Sequence, residues 1–216
     1  DADFYDDALR NLERAVAIEP ADFFALHRIG LVHMYSPKHM DLSSAELFFT
    51  KSAKYALAEA RSATGIGQSA LTSDALTSFS EQVPTDESIK LQSAEAYLFA
   101  ARACYIQGRF NDAASLAAQG FRAAPQLLEA GFMQAKALAA ADNDVQAVAP
   151  LELVIHEDRF FALKTLADLD LCPKPAVQAL LQRLQSDATA LAASLLAECK
   201  RQVIAGSNAD SLLTEI

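Results

Sequence analysis

Residues 94–125, AEAYLFAARACYIQGRFNDAASLAAQGFRAAP, decide how the rest of this 216-residue chain is read. Tyr97 supplies bulk early in a first helical stretch, and Ala100 and Ala101 are small where a second helix must approach. Gly108 gives the backbone freedom of a tight turn, Phe110 and Ala113 open a second helical stretch, and Pro125 stops it. The pattern is that of two antiparallel helices packed as one unit. Such a pair cannot bury its apolar faces alone, so further pairs are expected beside it.

Composition points the same way. Alanine and leucine dominate, glycine and proline number seven each, tryptophan is absent, and no run alternates long enough to read as a sheet. The expected class is all-α. With 28 acidic against 18 basic residues and no basic cluster, a nucleic-acid surface is not expected. Cys104, Cys172 and Cys199 are odd in number and lack CxxC spacing, which suggests buried free thiols in a reducing compartment, read here as the cytoplasm. No apolar stretch is long and charge-free enough to predict membrane insertion, and DADFYDDAL does not read as a signal peptide. The chain starts without methionine and inside a helical unit, as a segment of a larger polypeptide would.

On these residues the 94–125 stretch resembles one tetratricopeptide repeat, and other segments resemble it in turn. Tyr5, Ala8, Leu12, Ala15 and Pro20 match the second helix of a unit whose first helix is missing. Leu26, Ile29 and Gly30, then Ala45, Phe48, Phe49, Lys51, Ser52 and Ala53, make a complete unit. Its long loop YSPKHMDLS and its Asp before the second helix look like the Sel-like subclass. Gly131, Ala135 and Leu138 with Ala147, Leu151 and Val154 form a later unit whose turn is supplied by Asp142 to Asp144, and in which Pro150 is expected to strain its helix or force a late start near Ala147. The resemblance implies a right-handed superhelical array of antiparallel helix pairs, a tetratricopeptide-like α-solenoid.

The organisation expected is therefore a partial and a complete repeat over 1–63, an insert or crossover over 64–92, and two repeats over 93–159. Capping helices follow over 160–206, with a tail over 207–216. The insert is rich in Ser, Thr and Gly, and an extra helix around Ser73 to Gln82 with mobile flanks is predicted there. A break at Cys172-Pro173-Lys174-Pro175 precedes a leucine-striped helix suited to covering the open end of a stack.

Catalytic patterns are absent from the sequence. The glycines at 65 and 67 lack a following Gly-Lys-Ser/Thr, and no serine sits in a GxSxG elbow. His27, His33 and His39 are six apart, which turns them about 240° on a helix rather than onto one face, so no metal site is predicted. His156 lacks the second histidine of HExxH and reads as a helix-end residue. No enzyme activity and no cofactor are expected.

What remains is a surface. In tetratricopeptide arrays the first helix of each unit lines a concave groove, and the resemblance places Phe24, His27, Arg28 and Leu31 there. Glu95, Leu98, Phe99, Arg102 and Tyr105 follow from the next unit, and Glu129, Phe132, Met133 and Lys136 from the third. The partner-binding set so predicted is Phe24, His27, Arg28, Phe99, Arg102, Tyr105, Phe132 and Lys136. Leu98, Phe99 and Phe132 could equally pack between units. The family's clamp for acidic C-terminal peptides uses lysines and asparagines, whereas the matching places here hold leucine, arginine, phenylalanine and lysine. A chaperone-tail adaptor is thus not implied, but Arg28, Arg102 and Lys136 can hold one carboxylate. The expectation is a protein–protein interaction scaffold binding a protein or peptide, with preference for an acidic or C-terminal carboxylate. The alternative is an oligomerisation or accessory domain that organises an attached enzyme, and a homo-oligomer is compatible with either.

Overall fold

Turn residues set the helix boundaries, and small residues set how closely the helices pack. The computed structural model describes residues 2–66 and 85–204. Among them the chain is all-α: α1 (Ala2–Ile18), α2 (Phe23–Tyr35), α3 (Leu42–Ile66), α4 (Asp86–Ile106), α5 (Phe110–Ala123), α6 (Leu128–Ala140), α7 (Asp144–Glu157), α8 (Phe160–Ala167) and α9 (Pro175–Ile204). From α1 to α7 each helix packs on the next in sequence, α4 also touches α6, and α9 packs on α7.

The turns carry a period. At the α4–α5 turn Gly108 takes φ 74°, its N–H donates to Tyr105 O, and Arg109 N–H donates to Cys104 O. At the α6–α7 turn, 34 residues on (108 to 142), Asp142 takes φ 58°, its N–H donates to Ala139 O, and Asn143 N–H donates to Leu138 O. The helices that follow are 14 residues each, Phe110–Ala123 and Asp144–Glu157. Glycine adopts the left-handed backbone without penalty; aspartate is among the few other residues that tolerate it. The same turn is thus built twice from different residues.

Close helix approach explains the alanines. Ala100, Ala101, Ala103 and Ala113 are fully buried, as are Ala45, Ala53 and Ala135. Gly30 is the extreme case: a Cβ there would lie 2.8 Å from the Phe49 ring, so α2 and α3 meet where one residue has no side chain. Asp22 caps α2 by accepting from Ala25 N–H at 2.9 Å, and Thr85 caps α4 by accepting from Ser88 N–H at 3.2 Å. Asp41 receives the Ser43 and Ser44 N–H groups at the start of α3, and these bonds with the Ser44 hydroxyl hold its carboxyl below the usual range.

Several local expectations need correction. Residues 86–92, assigned to the insert, are helical and begin α4, because Thr85 and the acidic pair Asp86 and Glu87 form a well-capped first turn. The helix expected around Ser73 to Gln82 lies outside the described residues. Pro150 does not delay α7, which starts at Asp144 and carries the proline inside it. The carbonyl deprived of its donor belongs to exposed Gln146, where water can replace it, while buried Leu151, Val154 and Ile155 hold the helix onto the core. Of the cysteines only Cys104 is buried; Cys172 and Cys199 are half-exposed.

Candidate functional site: the face of α2, α4 and α6

One side of the molecule is built by α2, α4 and α6. His27 of α2 meets Phe99 of α4 edge-on at 5.5 Å, and α4 contacts α6 directly. The predicted residues fall along this side in two environments.

At the α2 end, Phe24 is 44% exposed and stacks on Phe23 with ring centroids 4.4 Å apart. These rings, His27, Arg28 and Ser52, with Gln92 and Glu95 from α4, line a pocket of about 140 Å³, the size of one side chain. Ser52 Oγ donates to Phe23 O at 2.7 Å and fixes the start of α2 against α3. The Gln92 Oε1 atom is buried without a hydrogen-bond partner. His27 is not an open groove residue: Phe49 and Phe99 pack on its ring, and burial, with Arg28 second, pushes its pKa down. Arg28 is exposed and makes no ion pair among the described residues.

Phe99 is half-buried and stacked on Phe49 at 5.2 Å, and Arg102 lies over the Phe99 ring with its guanidinium carbon 5.3 Å from the ring centroid. Arg102 has no carboxylate partner among the described residues. Leu98 is 5% exposed and Phe132 7%, so both pack rather than project.

At the α6 end the basic groups are already satisfied. Lys136 Nζ donates to Asp168 Oδ2 at 2.7 Å, stands 3.6 Å from Asp170 Oδ2, and lies 5.3 Å from the Tyr105 ring centroid. Tyr105 donates its hydroxyl to Asp170, and burial and that carboxylate push its pKa well up. Lys164 of α8 pairs with Glu129 and sits over Phe132 and Phe161 at 5.0 and 4.9 Å. Arg102, Glu129, Phe132, Met133, Lys136, Lys164, Ala167 and Asp168 enclose an open pocket of about 390 Å³.

Arg102, Phe132 and Lys136 line one pocket, with Phe99 under Arg102 and Tyr105 beside Lys136, while Phe24, His27 and Arg28 line another that meets the first set through the His27–Phe99 contact. Sequence reasoning missed Lys164, Asp168 and Asp170. The Asp-x-Asp spacing before Cys172-Pro173-Lys174-Pro175 was visible, but nothing local tells that this turn returns to α4 and α6. Among the described residues no cluster of three or more His, Cys, Asp or Glu side chains could hold a metal ion, and no helix is long and apolar enough to cross a membrane. No family model matches the chain, and no curated protein matches it significantly.

Proposed function

We propose that the protein is a non-enzymatic interaction scaffold of the tetratricopeptide kind, whose helix pairs stack as an α-solenoid and whose α2–α4–α6 side binds an acidic peptide. The 34-residue recurrence of turns and helices supports the repeat reading. The contact of α4 with α6, and of α2 with α4 through His27 and Phe99, supports a side built from first helices.

The observation that carries the ligand class is the difference between the cations. Lys136 and Lys164 are neutralised by the chain's own carboxylates, whereas Arg28 and Arg102 have no carboxylate partner among the described residues; Arg28 lines a pocket with Phe24, and Arg102 lies over the Phe99 ring. A peptide carboxylate supplies what these guanidinium groups lack, and aromatic and arginine side chains are the types that dominate binding energy at such surfaces. The Asp168–Asp170 turn, whose side-chain carboxylates accept from Lys136 and Tyr105, is an intramolecular example of an acidic segment on this side.

Selection of a random peptide library on the intact chain tests the reading. Acidic sequences should be enriched, and Arg28→Glu with Arg102→Glu should abolish their capture. Enrichment of peptides that bind this variant as well as wild type would overturn it.

A further inference from the structure

The last helix outruns everything it packs on. At about 1.5 Å per residue, the 30 residues of α9 extend about 45 Å, against about 21 Å for the 14 residues of α7. Val177 and Leu180 are buried, but from Gln185 to Ser194 every residue is exposed, whichever way it faces. Leu191 is 60% exposed, on a stretch of helix that packs on no other helix among the described residues.

Along α9, Val177, Leu181, Leu184, Ala188, Leu191 and Leu195 follow one another in alternating steps of four and three, the heptad spacing of a coiled-coil seam. Ala188, Leu191 and Leu195 are the members on the overhang, and Glu198 takes the next position. The inner part of the seam is already shared: Leu181, Leu184 and Ala188 line a groove of about 500 Å³ with Ile155, Ala162 and Leu166. A partner helix must therefore centre on the outer part, beyond α8.

We infer that this seam pairs antiparallel with α9 of a second copy of the chain. With Leu191 set against Leu195 of the other copy, the two-fold axis passes near residue 193. The flanking positions then bring Asp187 opposite Arg201, twice by symmetry, and Gln185 opposite Cys199. Arg201 is 75% exposed; Glu198 of its own helix holds one edge of its guanidinium at 2.6 Å, and the planar fork keeps further N–H donors for a facing carboxylate. In a parallel pairing equal numbers face each other, and Asp187 meets no basic residue. The residues closest to the axis, Ala192 and Ser194, are small, which allows the helices to approach closely. This inference is independent of the peptide-binding reading: it concerns a different helix and a different face.

Sedimentation velocity on the intact 216-residue chain from 1 to 100 µM tests it. Wild type should pass from 23.2 kDa to twice that mass. Leu191→Glu with Leu195→Glu should stay monomeric with unchanged circular dichroism and, at concentrations where wild type is also monomeric, an unchanged urea midpoint, since α7 and α8 do not hold these residues and glutamate is a good helix former. A wild type that remains monomeric, or a glutamate variant that still dimerises, overturns the pairing. Asp187→Arg should weaken the dimer about three- to tenfold and Arg201→Asp in the same chain should restore it; no recovery overturns the register. A short bis-maleimide should link position 185 of Gln185→Cys to Cys199 of the second copy. A Cys199–Cys199 link in wild type would instead mark parallel pairing and overturn the proposal.

Discussion

Lys136 of α6 and Asp168, directly after α8, form an ion pair at 2.7 Å in which the carboxylate side chain is only 11% exposed. Asp168 Oδ1 meanwhile accepts from the Asp170 and Leu171 N–H groups at 3.0 and 3.2 Å. One side chain thus shapes the turn and ties it to α6, while Leu171 buries itself in the core beneath. Asp168→Ala should therefore destabilise the protein by about 1–3 kcal/mol, because it leaves two backbone donors unpaired and leaves Lys136 with only the more distant Asp170 carboxylate. Asp168→Asn, which keeps an acceptor for the turn, should cost less. Urea unfolding with Lys136→Ala as the other arm of a double-mutant cycle measures the pair, and additive effects would mean that the two residues do not interact.

Gly30 and Phe49 lead to a packing prediction. Gly30→Ala puts a methyl 2.8 Å from the ring, which has His27 and Phe99 on its other sides and cannot retreat freely. A loss of about 1–3 kcal/mol is expected despite alanine's better helix propensity. Ala101→Leu and Ala113→Leu should fall in the same range, since both sites are fully buried. Unshifted urea midpoints would show that these helix contacts are looser than the structure has them.

These two cases mark what was legible in the sequence. Helix pairs and their turns were readable because the signals are local: Gly108, the alanines at close approaches, and the prolines after α1 and α5 each act within a few residues of themselves. The turn at Asp142 to Asp144 was readable too, from its Asp-Asn-Asp run, and what the sequence did not show is that Asp142 takes the left-handed backbone there. The candidate site was legible in its aromatic and basic residues but not in its occupancy. Whether Lys136 faces a ligand or Asp168 depends on where a segment 32 residues later returns, and no spacing rule encodes that.

His27 makes the stability pH-dependent. Burial, and secondarily Arg28, hold its pKa below 6.5, so the folded protein resists a proton that the unfolded chain accepts near pH 6.5. Its contribution is complete above that value and is lost as pH falls through 6.5 and below. The carboxylates of Asp6, Asp41 and Asp142, held below 3.8 by their hydrogen bonds, act only at more acid pH. Between pH 7.5 and 5, wild type should lose more stability than His27→Phe, which keeps a ring against Phe49 and Phe99. Identical slopes in the two proteins would remove His27 as the cause.

Cysteine reactivity should divide two to one. Cys104 is fully buried beneath Arg109, whose Nη2 lies 3.1 Å from Sγ, and burial pushes its thiol up to about 11. Since the thiolate is the reactive form, Cys104 should resist a disulfide reagent at pH 8 until the protein unfolds, whereas half-exposed Cys172 and Cys199 react. Three equally fast thiols in the native protein would contradict this packing of α4 against α5.

The site itself makes the sharpest distinction between a cation that binds and one that builds. Among the described residues Arg28 and Arg102 have no carboxylate partner, and Arg28 is exposed while Arg102 lies over the Phe99 ring. Replacing either by alanine should leave the urea midpoint within about 0.5 kcal/mol of wild type, as for other surface changes. Each should weaken a selected acidic peptide by about 1 kcal/mol or more, with the loss growing smaller at high salt. Lys136→Ala should behave in the opposite way, costing stability first, because its partner Asp168 is left nearly buried and unpaired. Peptide titration by fluorescence anisotropy, run beside urea unfolding for the same three variants, separates the roles. If Lys136→Ala abolished binding at unchanged stability while both arginine variants bound normally, the peptide would lie over the α6 end of the face, displacing the acidic turn, and the assignment to Arg28 and Arg102 would fall.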